Sequence, residues 1–308
     1  MRVLRHPRGE TATVVAVGSF DGVHRGHQAI VARVRERARQ AGAASAVLTF
    51  EPLPREFFTP ARAPGRITSL AEKLACLARE GVELAFVERF DEAFASLTPE
   101  EFELALRHRY GARHVVVGHD FRYGAKRGGD TARLREAGRS LGFGVEVLDP
   151  VYDGAARISS TRVREALAAG AFDTAAAMLG RRYAITGHVV HGAKRGREMG
   201  FPTANVRLAR PKPALGGIYA VKCFTAATRG LEGVASLGTN PAVRSGGPAT
   251  LEAFLFDFSG DLYGARLTVE FVKKLRDEAH FASLDALAAQ IQRDCDAARR
   301  HFAASTGS

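Results

Sequence analysis

Apolar segments and amphipathic segments alternate along the first half of the chain, from about residue 11 to residue 150. The apolar segments are TVVAVGSF, SAVLTF, LAFVERF, HVVVGHDF and VEVLDP, and each of the first four is followed by a segment with helical spacing of its apolar residues. Continuous apolar strands separated by amphipathic helices are typical of a parallel sheet covered on both faces. We therefore predict an N-terminal α/β domain with a doubly wound, Rossmann-like sheet.

A different pattern begins at Arg181. Short strand-like runs follow this residue, separated by turn residues: YAITGHVVHG, GIYAVKCFT, LEGVASLGT, TLEAFLFDF and LTVEFVKKL. Strands that follow one another without intervening helices indicate an antiparallel β-barrel. The tail SLDALAAQIQRDCDAARRHF spaces its apolar residues as a helix does, and we expect it to close this domain. The predicted domains are residues 1–180 and residues 181–308.

The composition excludes several classes of protein. Three widely spaced cysteines without a CxxC pair suit a reducing compartment, and no apolar run approaches the roughly 20 residues that span a bilayer. The net charge of +11 favours an anionic partner, but the basic residues are spread from Arg2 to Arg300 and 37 of the 44 are arginine. We expect a cytoplasmic protein with anionic small substrates, and neither nucleic acid as the main partner nor a membrane.

The segment GSFDGVHRGH joins the first apolar strand to a helix. Its glycines, among them Gly18 and Gly22, let the backbone approach a ligand closely, and the helix N-terminus favours an anion. His24 and His27 are three residues apart, so both rings can donate to a phosphate. This segment, TFEPLP and GHDFRYG all lie at carboxyl ends of strands, where doubly wound sheets bind ligands. We predict a nucleotide site; a turn with two surface histidines is the alternative.

A second glycine-rich segment, HGAKRGREMGFPTAN, opens the second half. It lacks the GxxxxGK[ST] pattern, so it is not a Walker A loop. Thr203 and Asn205 project to the same side of an extended chain and offer hard oxygen ligands for a magnesium ion that also holds ATP phosphates. The other residues that we assign to this ATP site are Gly192, Lys194, Gly196, Gly200 and Pro202. A loop without a ligand is the alternative.

Glu252 stands among aromatic residues in the run TLEAFLFDF. Strand alternation places it on the same face as Phe254 and Phe256, where a carboxylate is costly unless it has a partner or a task. If it faces the mouth of the barrel, it can act as a general base. A carboxylate on an edge strand without a catalytic task is the alternative.

These motifs resemble those of the HxGH nucleotidyltransferases, and within them the prokaryotic bifunctional riboflavin kinases and FAD synthetases. GSFDGVHRGH is similar to the first nucleotide loop of that family, TFEPLP to its second strand end, GHDFRYGAKRGGD to its flavin-side loop and ISSTRVR to its distal phosphate-binding segment. The resemblance covers nearly the whole chain. Ser19 departs from the pattern, because asparagine is usual there.

The resemblance implies two activities. Riboflavin and ATP give FMN and ADP, and then FMN and ATP give FAD and pyrophosphate, with magnesium as the cofactor. His24 and His27 would stabilise charge on the transferred phosphoryl group, and Glu252 would accept the proton of the ribityl hydroxyl. The implied ATP site of adenylyl transfer comprises Gly18, Phe20, Asp21, Gly22, His24, His27, Ser159, Ser160, Thr161 and Arg162. The implied flavin site beside it comprises Phe50, Pro52, Asp120, Phe121 and Arg122.

Blander interpretations remain open for parts of these sites. Without the resemblance, the SST sequence is equally well a helix N-cap, and an aromatic such as Phe121 at a strand end is more often packing. Two other functions compete with the bifunctional enzyme. In one, only one module is active; in the other, the chain is a basic nucleic-acid-binding or regulatory protein that keeps the fold. The expected partners are riboflavin, FMN, FAD and ATP, together with weak self-association.

Overall fold

The computed structural model of the chain describes residues 1–7, 9, 11–192, 200–210, 212–228, 230–238 and 249–306. Packing divides the chain into two units. The first comprises Met1–Pro64 and Leu70–Ser160, and the second comprises Gly65–Ser69 and Thr161–Ser308. The domain boundary after residue 180 stays a prediction. No helix in these described ranges is long and apolar enough to cross a membrane.

A six-stranded sheet, parallel in every pairing, forms the centre of the first unit. Its strands are β1 (Arg2–Leu4), β2 (Thr13–Val17), β3 (Ala44–Glu51), β4 (Leu84–Arg89), β5 (Ala112–Gly118) and β6 (Gly144–Leu148). They are arranged in the order β1-β4-β3-β2-β5-β6. All five residues of β2 are buried, as expected for a central strand covered on both faces. The predicted doubly wound α/β fold is confirmed.

Helices connect and cover these strands. They are α1 (Arg25–Ala41), α2 (Pro54–Phe58), α3 (Leu70–Arg79), α4 (Glu92–Ala95), α5 (Pro99–His108) and α6 (Thr131–Leu141). Local signals set their ends. Thr98 caps α5 by accepting a hydrogen bond from the Glu101 amide, and the Glu101 carboxylate accepts one from the Thr98 amide. Gly42 ends α1 in the left-handed region at a φ of 58°. A hairpin of β7 (Tyr152–Asp153) and β8 (Ala156–Arg157) follows β6.

The strand order places a switch point beside β2. From β2 the chain moves outward to β3 and β4 on one side, and then returns to add β5 and β6 on the other side. Loops that leave the carboxyl ends of β2 and β5 therefore diverge and leave a crevice. The motif after β2 and the motif after β5 lie at this edge of the sheet.

A closed barrel of antiparallel strands forms the centre of the second unit, with strand order β10-β13-β12-β11-β14-β9. Its strands are β9 (Ala184–Val190), β10 (Thr203–Val206), β11 (Gly217–Phe224), β12 (Leu231–Gly238), β13 (Thr250–Leu255) and β14 (Arg266–Arg276). The helices are α7 (Ser160–Ala168) and α8 (Phe172–Leu179) before the barrel, and α9 (Leu284–Thr306) after it. The predicted barrel with a terminal helix is confirmed, and β10 is a strand that the sequence analysis did not assign.

Helix α9 packs on the outer face of the barrel. Its apolar residues join outward-facing strand residues in one cluster: Ile218, Ala220, Val234, Phe256, Cys295, Ala298 and Phe302. Two ion pairs hold the helix. Arg276 donates to the buried Asp294 at 2.7 Å, and Arg299 donates to Asp257 at 3.0 Å. A six-stranded barrel has no room for a helix inside, so the strand residues that touch α9 define its outer face.

Candidate active sites

The loop between β2 and α1 has a strained backbone. Phe20 and Val23 adopt φ values of 49° and 42°, and Gly22 between them adopts 84°. The left-handed region is disfavoured for a side chain branched at Cβ such as valine, and strain of this kind persists only where the surroundings enforce it. Both Phe20 and Val23 are buried in the core below the loop, which supplies that enforcement.

The carbonyl groups of this loop are engaged by side chains of the first unit. The pairs are Thr49 Oγ1 to Ser19 O (3.2 Å), Ser160 Oγ to Asp21 O (3.0 Å) and Gln28 Nε2 to Val23 O (2.9 Å). Carbonyl oxygens repel an anion, so a loop whose carbonyls already accept hydrogen bonds is well suited to one. The bond from Ser160 also joins the distal segment ISS to the loop across 139 positions of sequence.

The two histidines of the loop lie against each other at the start of α1. Their ring centroids are 3.7 Å apart with the planes inclined by 18°, and His24 is 6% exposed. A Cβ atom on Gly26 would approach the His24 ring to 3.2 Å, so the glycine leaves room for that ring in its observed position. The buried ring of Phe20 lies 5.0 Å from that of His27. Two imidazoles at a helix N-terminus form a site that favours a phosphate.

The distal segment is divided between the two units. Ser159 and Ser160 belong to the first unit, and both are half-buried beside the point where α7 begins. Thr161 and Arg162 belong to the second unit. The assignment of these last two residues to the nucleotide site stays a prediction.

Aromatic residues gather beyond the ends of β3 and β4. The ring of Phe50 is 5.6 Å from that of Phe90 and 5.4 Å from that of Phe94. Phe58 is 62% exposed and its ring lies 5.6 Å from that of Phe90. Pro52 is exposed directly after β3. The sequence analysis named Phe50 and Pro52 but missed Phe58, although adjacent phenylalanines in an otherwise polar helix were a usable signal.

The loop after β5 carries the other predicted flavin contacts. Asp120 accepts a hydrogen bond from Arg157 at 2.8 Å. Burial disfavours the charge of Asp120, but the hydrogen bond from Arg157, the charge of Arg157 and smaller effects that include His119 together hold the pKa of the carboxyl below its usual value. Arg122 pairs with Asp130 at 3.2 Å. Arg157 was not named from the sequence, because it reaches Asp120 from the separate hairpin of β7 and β8.

A buried carboxylate holds this loop in place. The ring of Phe121 stacks on that of Tyr123 at 5.5 Å, and the Tyr123 hydroxyl donates to Glu103 at 2.5 Å. Arg133 also donates to Glu103, at 2.8 Å. Burial and the bond to Glu103 raise the pKa of Tyr123, so its hydroxyl stays a donor. The position of Phe121 is therefore set through Tyr123 by a residue of α5.

The second site is a row of polar side chains across three neighbouring strands. Asn205 on β10 pairs directly with Glu252 on β13, and Glu252 pairs directly with Ser236 on β12. The next pair on the same face, at the start of β10, joins Thr203 to Phe254. Side chains that face each other across antiparallel strands lie about 4.5–5.5 Å apart at Cβ. Asn205 and Glu252, 47 positions apart in sequence, are thus brought together by strand register.

This row lies on the outer face of the barrel, not at its mouth. Leu251, Ala253 and Leu255 alternate with Glu252 and are buried, and they fill the interior. Glu252 shares the other face with Phe254, which packs against the α9 cluster. Glu252 is half-buried on the face of Phe254, as strand alternation predicts, and its role as a base stays a prediction.

Gly192 completes the row at the end of β9. A Cβ atom on this glycine would lie 2.3 Å from the Asn205 side-chain carbon Cγ, so only glycine leaves the amide its space. Gly200 has a φ of 84° and Pro202 is exposed directly before β10. Lys194 and Gly196 lie outside the described residues.

Two oxygen donors on one face of β10 suit a hard cation. Thr203 offers a hydroxyl and Asn205 an amide oxygen on the same face of β10, and both are half-buried. No cluster of three or more histidine, cysteine, aspartate or glutamate side chains occurs within the described ranges. Neutral oxygen donors alone bind magnesium weakly, so a cation here would need further ligands from a bound phosphate group.

Comparisons with known proteins identify the family of the whole chain. A family model described as FAD synthetase matches residues 6–162, and one described as riboflavin kinase matches residues 179–302. Bifunctional riboflavin kinase/FMN adenylyltransferases are similar to the chain at 48% identity over 287 residues in Pseudomonas fluorescens (93% of this chain, 92% of the relative) and at 44% over 291 residues in Escherichia coli K12 (94% and 92%).

A solved structure extends the likeness to three dimensions. A crystal structure described as a macrolide-efflux protein from Streptococcus pneumoniae matches with a TM-score of 0.76 and 32% identity, over 96% of this chain and 97% of that chain. The sequence relatives and both family models span the same two units. The chain therefore belongs to the bifunctional riboflavin kinase/FMN adenylyltransferase family.

Proposed function

We propose that the two reactions of this family are carried by separate groups of residues in this chain, one group in each unit. The chain is a bifunctional enzyme of flavin cofactor synthesis: riboflavin and ATP give FMN and ADP, and FMN and ATP give FAD and pyrophosphate. The single observation that carries the assignment is the direct pairing of Asn205 with Glu252, which joins a magnesium ligand to a base on one face of the barrel.

Adenylyl transfer takes place at the loop after β2. An oxygen of the FMN phosphate attacks the α-phosphorus of ATP, the new phosphorus–oxygen bond forms, and the bond to pyrophosphate breaks. His24 and His27 donate hydrogen bonds to the phosphoryl oxygens as negative charge develops there, and their stacked, partly buried rings need no rearrangement to do so. Ser159 and Ser160 extend the phosphate site, since Ser160 is bound to the loop through Asp21. No covalent enzyme intermediate is needed.

The flavin of this step lies against the aromatic residues beyond β3. Pro52 is exposed above the buried ring of Phe50, and Phe121 stacks on Tyr123 in the loop after β5. Asp120, held as a carboxylate by Arg157, and Arg122 place polar groups at the rim. These contacts orient the FMN phosphate towards the histidine loop, which lies at the same edge of the sheet.

Phosphoryl transfer takes place at the polar row of the barrel. Glu252 accepts the proton of the terminal ribityl hydroxyl while that oxygen attacks the γ-phosphorus of ATP and ADP leaves. The half-buried position of Glu252 beside Phe254 limits water around the carboxylate. Thr203 and Asn205 would hold magnesium, which would draw negative charge away from the phosphate oxygens. Gly192 borders the Asn205 side chain, and Pro202 directly precedes Thr203 at the start of β10.

Three free, buried cysteines support a reducing location for both reactions. Burial raises the pKa of the Cys223 thiol to about 12, and burial together with the nearby Asp294 raises that of Cys295 to about 11, so these thiols stay protonated and inert. We place the enzyme in the cytoplasm on this ground. Weak self-association stays a prediction.

The test is a flavin assay on the purified protein. Incubation with riboflavin, ATP and magnesium, followed by chromatographic separation, is expected to give FMN first and FAD later. Omission of magnesium is expected to stop FMN formation. A folded protein that forms neither FMN nor FAD would contradict the proposed function.

A further inference from the structure

Lys73 is a completely buried lysine in the first unit. It shares the buried face of α3 with Cys76 and Leu77, and its solvent exposure is 0%. Lysine is among the residues that are least often fully buried, because removing an ammonium group from water is costly unless polar groups surround it. A lysine on the apolar face of a helix is therefore a candidate for a specific task.

The Lys73 ammonium reaches the nucleotide loop through one intermediate. Its Nζ donates to Thr49 Oγ1 at 3.1 Å, and Thr49 Oγ1 lies 3.2 Å from the Ser19 carbonyl oxygen. An ammonium group has donors only, so the Thr49 hydroxyl accepts from Lys73. The hydroxyl proton is then directed to the Ser19 carbonyl, which has no proton to give. The direction of both hydrogen bonds follows from the chemistry of the three groups.

This chain of bonds acts on the part of the loop where strain begins. Ser19 directly precedes Phe20, the first of the residues with positive φ, and the loop continues through Gly22 and Val23 to His24. The hydrogen bond from Thr49 to the Ser19 carbonyl fixes the peptide plane between Ser19 and Phe20. A hydrogen bond that involves an ionised donor contributes more than a neutral one, and its cation also polarises the hydroxyl that it contacts.

We propose that Lys73 is a positioning residue for adenylyl transfer, which acts through the Thr49 hydroxyl to hold the Ser19 carbonyl and thereby the shape of the loop that presents His24 and His27. The proposal rests on the assignment of that loop to ATP.

The experiment compares both catalytic steps in Lys73→Met, Thr49→Val and Thr49→Ser variants of the full chain. Lys73→Met and Thr49→Val are each expected to lower kcat for FAD formation from FMN by about tenfold, the effect of one lost charge-assisted hydrogen bond. KM for FMN should stay within about twofold of its original value, because the flavin contacts are elsewhere. Thr49→Ser keeps the hydroxyl and should retain most of the rate.

Two controls separate positioning from general stability. Cys76→Ala removes buried volume from the same face of α3 and leaves Lys73 and Thr49 intact, so it should lower Tm without a selective loss of FAD formation. The double variant Lys73→Met with Thr49→Val should be no slower than either single variant, because both break one path. Riboflavin phosphorylation in the same preparations should be unchanged.

The outcomes are decisive. Full FAD formation by folded Lys73→Met, equal loss of both catalytic steps, or a double variant whose losses multiply would each overturn the proposal. If Lys73→Met does not fold, the two Thr49 variants test the proposal by themselves. Equal rates of FAD formation in Thr49→Val and Thr49→Ser would then overturn it. The variant with His24→Ala and His27→Ala, assayed in parallel, separates failure of the Lys73 proposal from failure of the proposed function. If this variant still makes FAD, the assignment of the loop to ATP is wrong.

Discussion

The sites that we propose for the two reactions are built from different kinds of structure. In the first unit the proposed site lies on loops that leave a parallel sheet, where Phe20 and Val23 hold a strained backbone in place. In the second unit it lies on the face of a barrel, where Asn205 and Glu252 are placed side by side by strand register. A loop site depends on backbone shape, and a strand site depends on side-chain identity at fixed positions. The two sites should therefore respond differently to substitution.

The largest effect is expected at the base of the strand site. Glu252→Gln keeps the volume and polarity of the side chain but removes the proton acceptor, so riboflavin phosphorylation should fall by about 100- to 10,000-fold. Conversion of supplied FMN to FAD should continue at its normal rate. Chromatography of the flavins measures both steps in one sample. If the folded variant lost riboflavin phosphorylation and FAD formation to the same extent, Glu252 would not be specific to phosphorylation.

The loop site should respond nearly as strongly to loss of its histidines. Replacement of His24 and His27 by alanine removes two donors to the transferred phosphoryl group, and the loss of one such donor typically costs about 100- to 1,000-fold. The enzyme should accumulate FMN and form little FAD. Loss of riboflavin phosphorylation in this variant, with FAD formation preserved, would reverse the assignment of the two units.

A magnesium ligand gives a smaller effect that depends on conditions. Asn205→Ala should slow riboflavin phosphorylation by about tenfold or more at limiting magnesium, as expected for a weakened metal site. Raised magnesium should restore part of the rate, and Tm should change little because the amide is half-buried. Kinase rates measured across a magnesium titration test this. An Asn205→Ala enzyme with an unchanged titration curve would remove the residue from the metal site.

Gly192→Ala disturbs the Asn205 side chain without removing it. The new methyl group would meet the Asn205 side chain, which can turn aside at little cost in stability. We expect a loss of about three- to tenfold in riboflavin phosphorylation, because a positioned group is displaced. The substitution should add nothing in an Asn205→Ala background. A further loss in the double variant would mean that Gly192 acts independently of Asn205.

The smallest effect concerns stability of the first unit in acid. Burial lowers the pKa of His114, and Arg37 adds to this effect while Glu146, 3.7 Å from the ring, opposes it. The unfolded chain, with a histidine pKa of about 6.5, therefore takes up the proton first as the pH falls. Stability contributed by the neutral ring is present above that value and declines below it. Thermal unfolding between pH 8 and 5.5 should show a shallower decline in His114→Gln.

Local patterns were sufficient to predict most of the first unit from the sequence. Buried strands such as β2 and capped helices such as α5 carry their signals within a few residues, and the switch-point rule then places the loop ends together. Ser160 and Asp21 lie in two segments that the sequence analysis had assigned to ATP, and a hydrogen bond joins them in the folded unit. The assignment itself still awaits the variants described above.

Non-local relationships set the limits of that prediction. The outward orientation of Glu252 depends on barrel closure and on where α9 packs, and a shift of one residue in register would reverse it. Lys73 was overlooked because helical spacing alone marks it as an irregularity in an apolar face, and its contact with Thr49 crosses from one element to another. Arg157 was missed for the same reason, as it meets Asp120 only in the folded chain.

The most direct test of separate chemistry in the two units is a mixing experiment. The Glu252→Gln enzyme and the enzyme with His24→Ala and His27→Ala are each supplied with riboflavin, ATP and magnesium, first alone and then together, and FAD is measured over time. Each alone should form almost no FAD, whereas the mixture should form it, because FMN released by the histidine variant is adenylylated by the other. A mixture that makes no more FAD than its components would contradict the account.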